Sequence, residues 1–252
     1  MSTIEATTGS QVGAVAPGVY RYGSRRVNWY VVEGDDGLVV VDAGIPGHWN
    51  QLVAGVADLG YGLEDVEALV LTHAHSDHVG FAERLRATAD VPVFVHEADA
   101  AMARGEGPGP PMAGALLNLW RPAVIALLVE LARGGGTSIS PIESVETFGD
   151  GDELDLPGDP RVIHVPGHSA GSCALHLPDR DVLICGDALA TLDIKTGRRG
   201  DPHLMPLFNA DVGLAADSLA RFEGLGEVTL LPGHGDPWRG DVAEAVQSAR
   251  SE

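Results

Sequence analysis

Leu69-Val70-Leu71-Thr72-His73-Ala74-His75-Ser76-Asp77-His78-Val79-Gly80 is an apolar strand that ends abruptly in three histidines and an aspartate. A buried strand delivers its last residues to a fixed point, and the loop leaving it can aim side chains at one centre. His73 and His75 are two apart, so in an extended loop they face the same way. Asp77 and His78 then fall at the expected first turn of a helix running through Phe81, Arg84 and Leu85, and they approach from another side. Imidazole and carboxylate suit zinc, and equally iron or manganese. Helix capping accounts for Ser76 or Asp77 alone. It leaves the clustered imidazoles unexplained, so the stretch reads as a metal site with room for two ions.

Upstream, strands are expected over Val12 to Tyr22 and Arg26 to Glu33, and Asp35-Asp36-Gly37 marks a hairpin into Leu38-Val39-Val40-Val41. That last strand ends in Asp42-Ala43-Gly44, where Asp42 is either a turn residue or part of the site. Spacing at Leu52, Val56 and Leu59 predicts a helix from Trp49 to Leu59, stopped by Gly60. Downstream come a strand at Val93-Phe94-Val95 and a helix from Glu97 to Arg104. Two breaker-rich hinges, Gly105-Glu106-Gly107-Pro108-Gly109-Pro110-Pro111 and Gly134-Gly135-Gly136, then bracket an apolar helical stretch from Met112 to Arg133. A membrane span needs roughly 20 mainly apolar residues, and Asn118, Arg121, Pro122 and Glu130 interrupt this one. The expectation is a cap insert at about 105–140 on a single domain running 12–252, with no membrane span. Residues 1–11 are expected as a disordered tail, and they lack the basic start and apolar core of a secretion signal, which predicts a cytoplasmic protein.

The second half repeats this logic. Val145 to Phe148 and Glu153 to Leu156 flank a Gly149-Asp150-Gly151-Asp152 turn, and Arg161 to Val165 is a strand ending at Pro166-Gly167-His168. Cys173 to Leu177 and Val182 to Cys185 pair about a turn at Pro178-Asp179-Arg180, the second leading into Gly186-Asp187. After a long irregular loop, Asp211 to Phe222 is helical. Val228 to Leu231 is a last strand ending in Pro232-Gly233-His234-Gly235-Asp236, before a short closing helix. Each half thus runs strands, an acid at a strand end (Asp42, Asp187), a helix, and a strand delivering histidine (His73, His234). This implies two sheets packed face to face, helices outside, and a site on the edge where the halves meet. His168, Asp187 and His234 each follow an apolar strand through a small or glycine residue, which lets the backbone approach a ligand. Singly they are common turn chemistry; with His73, His75, Asp77 and His78 they make seven candidate ligands.

Lys and Arg number 16 against 36 Asp and Glu in 252 residues, a formal charge of -20. Such a surface repels phosphate backbones and anionic membranes, which argues against a nucleic-acid partner and for a small-molecule substrate. Cys173 and Cys185 lack ligand spacing and are expected as buried free thiols. His48, His96, His164 and His176 likewise lack ligand spacing and read as structural residues.

On these motifs the chain resembles the metallo-β-lactamase-fold hydrolase superfamily over nearly its whole length. The resemblance implies an α/β fold, an αββα sandwich of two mixed sheets, with a dinuclear zinc site in which iron or manganese could stand. His73, His75 and His168 would hold one ion, Asp77, His78 and His234 the other, and Asp187 would bridge them. Asp42 would support the ligands by hydrogen bonding. True β-lactamases of this fold generally lack the bridging aspartate, and too few residues follow His234 for the glutathione-binding domain of glyoxalase II. The implied activity is metal-dependent hydrolysis: a hydroxide shared by two cations attacks the carbonyl of a small lactone, thioester or related ester, with Asp77 passing the proton. Competing readings are a mononuclear iron oxidoreductase similar to persulfide dioxygenases, a phosphodiesterase of the same fold, and a non-catalytic metal-binding module.

Substrate choice falls to the inserts. Leu116, Leu117, Leu119, Trp120, Val124, Leu127 and Leu128 of the cap either line a pocket or are packed core or a dimer contact. The Ala188 to Asn209 loop carries Asp193, Lys195, Arg198, Arg199 and His203, with Lys195 the only lysine in the chain. These charges either grip a substrate carboxylate or belong to a solvated loop. Monomer and homodimer both fit.

Overall fold

A computed structural model describes residues 13–35, 37–106 and 116–250. The disordered tail expected over residues 1–11, the middle of the expected turn at Asp36, and most of the first hinge together with Met112 lie outside the described residues.

Seven strands form one sheet in sequential order: β1 (Gly13–Ala16), β2 (Val19–Gly23), β3 (Asn28–Glu33), β4 (Leu38–Val41), β5 (Val66–Val70), β6 (Val93–His96) and β7 (Glu146–Phe148). Strands β1 to β4 pair antiparallel, and β4 to β7 pair parallel. The second sheet has the order β14-β13-β10-β9-β8, from β8 (Arg161–His164), β9 (Cys173–Leu177), β10 (Val182–Gly186), β13 (Glu227–Pro232) and β14 (Trp238–Asp241). Between β10 and β13 a small hairpin joins β11 (Ala190–Leu192) to β12 (Arg199–His203).

Strand alternation sorts side chains into layers, because successive residues point to opposite faces. Tyr30, Val32, Val39, Val41, Ala68 and Val70 pack between the sheets against Leu175, Leu177, Val182, Ile184 and Leu231. Their neighbours Val31, Leu38, Val40, Leu69 and Leu71 face outward onto Leu52 and Val56 of the Trp49–Asp58 helix and Leu85 of the Ala82–Ala89 helix. On the other side Ala174, Leu183, Cys185 and Leu230 pack on Phe222 and on Val242 and Val246 of the Val242–Arg250 helix. Strands covered on both faces read as continuous apolar runs, and the layers are helix, sheet, sheet, helix.

Several local expectations differ from the structure. Pro17 and Gly18 split the first strand, because Gly18 takes a φ of +61°, open chiefly to glycine, and turns the chain back on itself. Glu153 keeps only an isolated bridge to Arg161, since this acidic stretch runs into Pro157 and has little to pack in a pleated surface. The helix expected to open at Asp77 and His78 starts instead at Ala82, four residues beyond His78. The reason is hydrogen bonding: Gly80 and Phe81 donate to the carbonyls of Gly44 and Ala43 at 2.9 and 3.1 Å, so their amides are committed to the loop after β4. Both cysteines are buried and free, on opposite faces of the second sheet.

Within the stretch expected as a cap, helix occupies Pro122–Arg133 among the described residues, with proline in its first turn where no amide partner is needed. Val124 and Leu127 are buried against Val27, Ala190, Leu192, Ile194 and Met205. Glu130 on the same helix accepts from Arg26 at 2.7 Å and from the Ser24 hydroxyl, and Gly47 donates to the Gly134 carbonyl at 2.8 Å.

Leu175 sits fully buried in the middle of the inter-sheet layer. Leu175→Ala is expected to cost about 2–5 kcal/mol and to lower the thermal midpoint by roughly 5 °C or more. An unchanged midpoint in a thermal unfolding scan would contradict this packing.

Candidate metal centre

Five strands leave their last residues at one edge. Asp42 follows β4, His73 follows β5, and His168, Asp187 and His234 follow β8, β10 and β13, which run in the same direction. Main-chain bonds join the sheets here: Cys173 donates to the Thr72 carbonyl at 2.9 Å, and Asn28 donates to the Gly233 carbonyl at 2.8 Å.

All seven candidate ligands from the sequence meet at this edge. His73, His75 and His168 form one group, His73, His78 and Asp187 a second, and Asp77, His78 and His234 a third, each with donor atoms within 4.8 Å of one another. Asp187 lies in the middle. Its carboxylate oxygens stand 3.2 Å from His234 Nε2, 3.3 Å from His168 Nε2, 3.4 Å from His78 Nε2 and 4.0 Å from His73 Nε2. Asp77 approaches His234 Nε2 at 3.4 Å and is partly exposed, whereas the histidines are buried.

Side chains behind the ring fix which nitrogen faces inward. His78 Nδ1 donates to Asp42 at 2.8 Å, and His168 Nδ1 donates to Asn209 Oδ1 at 2.9 Å. His234 Nδ1 donates to the Arg26 carbonyl. The Asp42 carboxylate also accepts from the Thr72 amide at 2.8 Å and the Thr72 hydroxyl at 2.9 Å, and the Thr72 hydroxyl oxygen lies 3.1 Å from His73 Nδ1. Asp42 itself has a φ of 62°, a left-handed conformation that short polar side chains tolerate. The Nε2 atoms of His73 and His78 and Oδ1 of Asp187 are left buried without hydrogen-bond partners, and His75 Nδ1 and His168 Nε2 face each other at 2.8 Å. Buried polar atoms are normally paired, and converging unpaired imidazole nitrogens beside carboxylates are the donor set a divalent cation satisfies. Gly233 completes the fit, since a Cβ there would stand 2.2 Å from Asp187 Oδ1.

Charge divides the histidines. Burial, reinforced by neighbouring imidazoles, holds His73 well below the ordinary value and pushes His75 down to about 3, so both stay neutral. Burial also lowers His168. For His234 burial opposes protonation, but the Asp187 carboxylate and a hydrogen bond to Asp77 outweigh it and push the pKa up to about 10. His78 is raised in the same way by Asp187 and Asp42, against its own burial. Asp187 and Asp77 are both lowered, burial being outweighed by the surrounding imidazoles.

Two residues that sequence reasoning missed hold the loops in place. Asp99, fully buried after β6, accepts from the Ala74 amide at 3.0 Å, the Ser169 hydroxyl at 2.7 Å and the Gly171 amide at 2.7 Å. It ties the His73–His75 loop to the His168 loop. The Asn28 amide donates to the carbonyls of Pro232 at 2.7 Å and Gly235 at 2.8 Å, which clamps the loop bearing His234. Neither carries a motif signal; an acid soon after a strand was the only hint for Asp99.

Residues 22–234 match the family model described as the Metallo-beta-lactamase superfamily. The chain belongs to this superfamily. The probable metallo-hydrolase YflN of Bacillus subtilis (strain 168) is 29% identical over 214 residues, 81% of this chain and 77% of the relative. YqgX of the same organism, also a probable metallo-hydrolase, is 30% identical over 177 residues, 66% of this chain and 68% of its own. Among solved structures, the metallo-beta-lactamase family protein TTHA1429 from Thermus thermophilus superposes with a TM-score of 0.65 at 24% identity, covering 94% of this chain and 80% of that one. TTHA1623, solved in a di-iron-bound form, gives 0.63 at 27% identity, covering 91% and 97%. This superfamily member is accordingly a metallo-hydrolase whose His/Asp cluster is able to bind metal. No helix among the described residues is long and apolar enough to cross a membrane.

The remaining candidates lie elsewhere. Trp120 is 72% exposed, with the Arg121 guanidinium over its ring, and it does not line the cavity above the cluster. That cavity, about 40 Å³, is bounded by Leu127, Leu128, Leu131, Met205 and Phe208. Lys195 and His203 line a separate cavity next to it.

Because His234 holds a proton up to about pH 10 through its carboxylate neighbours, a cation entering at neutral pH must displace it. Metal uptake is therefore expected to release protons and to weaken as pH falls. Calorimetric titrations in buffers of different ionisation enthalpy check this, and a buffer-independent heat would contradict it. Asp99→Asn leaves an amide against donor groups and is expected to cost about 1–3 kcal/mol of stability, with weaker metal retention on dialysis; full retention would argue that the tie is dispensable.

Proposed function

We propose that this superfamily member hydrolyses small acyl compounds, a lactone, thioester or related ester, at a pair of divalent cations. The observation that carries the reading is the position of Asp187, central to two flanking donor groups, His73-His75-His168 and Asp77-His78-His234. Zinc suits this all-imidazole and carboxylate set, and the di-iron-bound relative makes iron the alternative. Bound cations would supply Lewis acidity and a water acidified from 15.7 toward about 7.

The chain's own residues do the rest. Asp42, Asn209 and the Arg26 carbonyl hold three imidazoles with Nε2 toward the centre, which fixes geometry before substrate arrives. Asp77, ionised, partly exposed and among the residues lining the cavity, would accept a proton during attack on the carbonyl and return it to the leaving group. Leu127, Leu128 and Leu131 of the cap, with Met205 and Phe208, exclude bulk water and strengthen electrostatics beneath them. In this reading residues 105–140 are a cap on a single domain, and the two free buried thiols accord with a reducing, cytoplasmic setting.

Asp187→Ala and His168→Ala are each expected to lower metal content and to cut turnover by about 100-fold or more, beyond the scale of losses behind the ligands. Metal quantified in the same preparations, assayed against lactones, thioesters, β-lactams and phosphodiesters, is the test. Undiminished metal and turnover in both variants would overturn the proposal.

A further inference from the structure

We propose that the cavity adjoining the metal centre is a second chamber of the binding site, and that it takes the body of an acyl substrate ending in a carboxylate, with Lys195 as counter-ion. The inference rests on the hydrolase reading above and names the class of substrate for it.

Space is the first argument. The cavity over the cluster, about 40 Å³, holds little more than a reacting group, whereas its neighbour measures about 270 Å³. Met205 and Phe208 line both, so the two chambers share a wall. Only together do they reach the lower end of the roughly 300–1,000 Å³ usual for ligand sites. The larger chamber is walled by Ile194, Leu204, Leu207 and Val212 as well, a surface for an apolar segment of several carbons.

Charge is the second. Lys195 is the only lysine in the chain, and it is half-buried in this wall. Among the described residues its ammonium has neither an ion pair nor a hydrogen bond; only its backbone amide is engaged, donating to Asp193 at 2.8 Å. Arg25, Arg133 and Arg198 likewise find no carboxylate among the described residues, but none of them lines this chamber, whereas Lys195 does. The nearest acid in sequence, Asp193, is committed to the turn through the Lys195 amide and the Thr196 hydroxyl. A cation in an apolar wall without a partner gains from an anionic ligand.

His203 adds a second polar group to the same wall. Its Nδ1 donates to the Asp201 carbonyl at 3.0 Å, leaving Nε2 buried without a partner in the same cavity. Both polar groups are held by the β11–β12 hairpin, which begins three residues after Asp187 and pairs Ala190 with His203. The chamber is thus hung on the strand end that supplies the central carboxylate.

The test uses monoethyl adipate, which has a six-carbon acyl chain and a free carboxylate, against uncharged diethyl adipate. Metal-stripped protein is expected to bind monoethyl adipate about tenfold tighter by calorimetry. Lys195→Gln should abolish that difference and Lys195→Arg should retain it. Val212→Trp, at a 43% exposed wall position, should block both ligands by filling the chamber. With metal restored, the preference for monoethyl adipate should appear in KM and vanish in Lys195→Gln. Equal binding of the two esters by the unaltered protein, or a preference that survives Lys195→Gln, would overturn the proposal. Binding that depends on Lys195 without turnover of either ester would sustain the chamber while removing the hydrolase reading; turnover of both esters without preference would do the reverse.

Discussion

One buried carboxylate constrains this molecule. Asp187 is ionised between four imidazoles at 3.2 to 4.0 Å, at an edge where two sheets meet. Charged groups removed from water are costly unless paired and hydrogen-bonded, so the loops bearing His73, His78, His168 and His234 must all close on the same point. Gly233 is required by the same closure, because any side chain there would strike Asp187. The chemistry and the stability of this edge are therefore one problem, and a divalent cation is its natural solution.

What keeps the donors in register is a second ring of side chains that contribute no donor of their own. Asp42 joins the end of β4 to Thr72 and His78, Asp99 joins two ligand loops, and Asn28 clamps the third. Each belongs to a rigid element or its immediate end, so ligand geometry is set by the scaffold. Main-chain bonds act beside this ring: the Gly80 and Phe81 amides are spent on the carbonyls of Gly44 and Ala43, and the helix after His78 begins late.

Two further segments border this centre. The Pro122–Arg133 helix closes over the cluster through Leu127, Leu128 and Leu131, and its Glu130 is bound to Arg26, whose carbonyl orients His234. Cap position and ligand orientation are thus linked through a single short segment. The hairpin after Asp187 carries Lys195 and His203 into the wall of the neighbouring cavity.

Much of this was legible in the sequence for a physical reason. Strand alternation and turn residues are local signals, and a histidine or aspartate directly after an apolar strand announces its position through its immediate neighbours; hence both sheets and all seven candidate ligands could be read. Asp99, Asn28 and Asn209 could not, because their partners lie 25, 207 and 41 residues away and their residue types are common in any loop. Nor could sequence tell that Trp120 faces solvent while Met205 and Phe208 line the site, since the apolar character of all three is the same. The sequence by itself determined the alternating layers and the chemistry of the donor set. Only the tertiary structure decided which nitrogens face inward, which loops are tied together and which side chains line the cavities, because those choices are made by hydrogen bonds and packing between segments far apart along the chain.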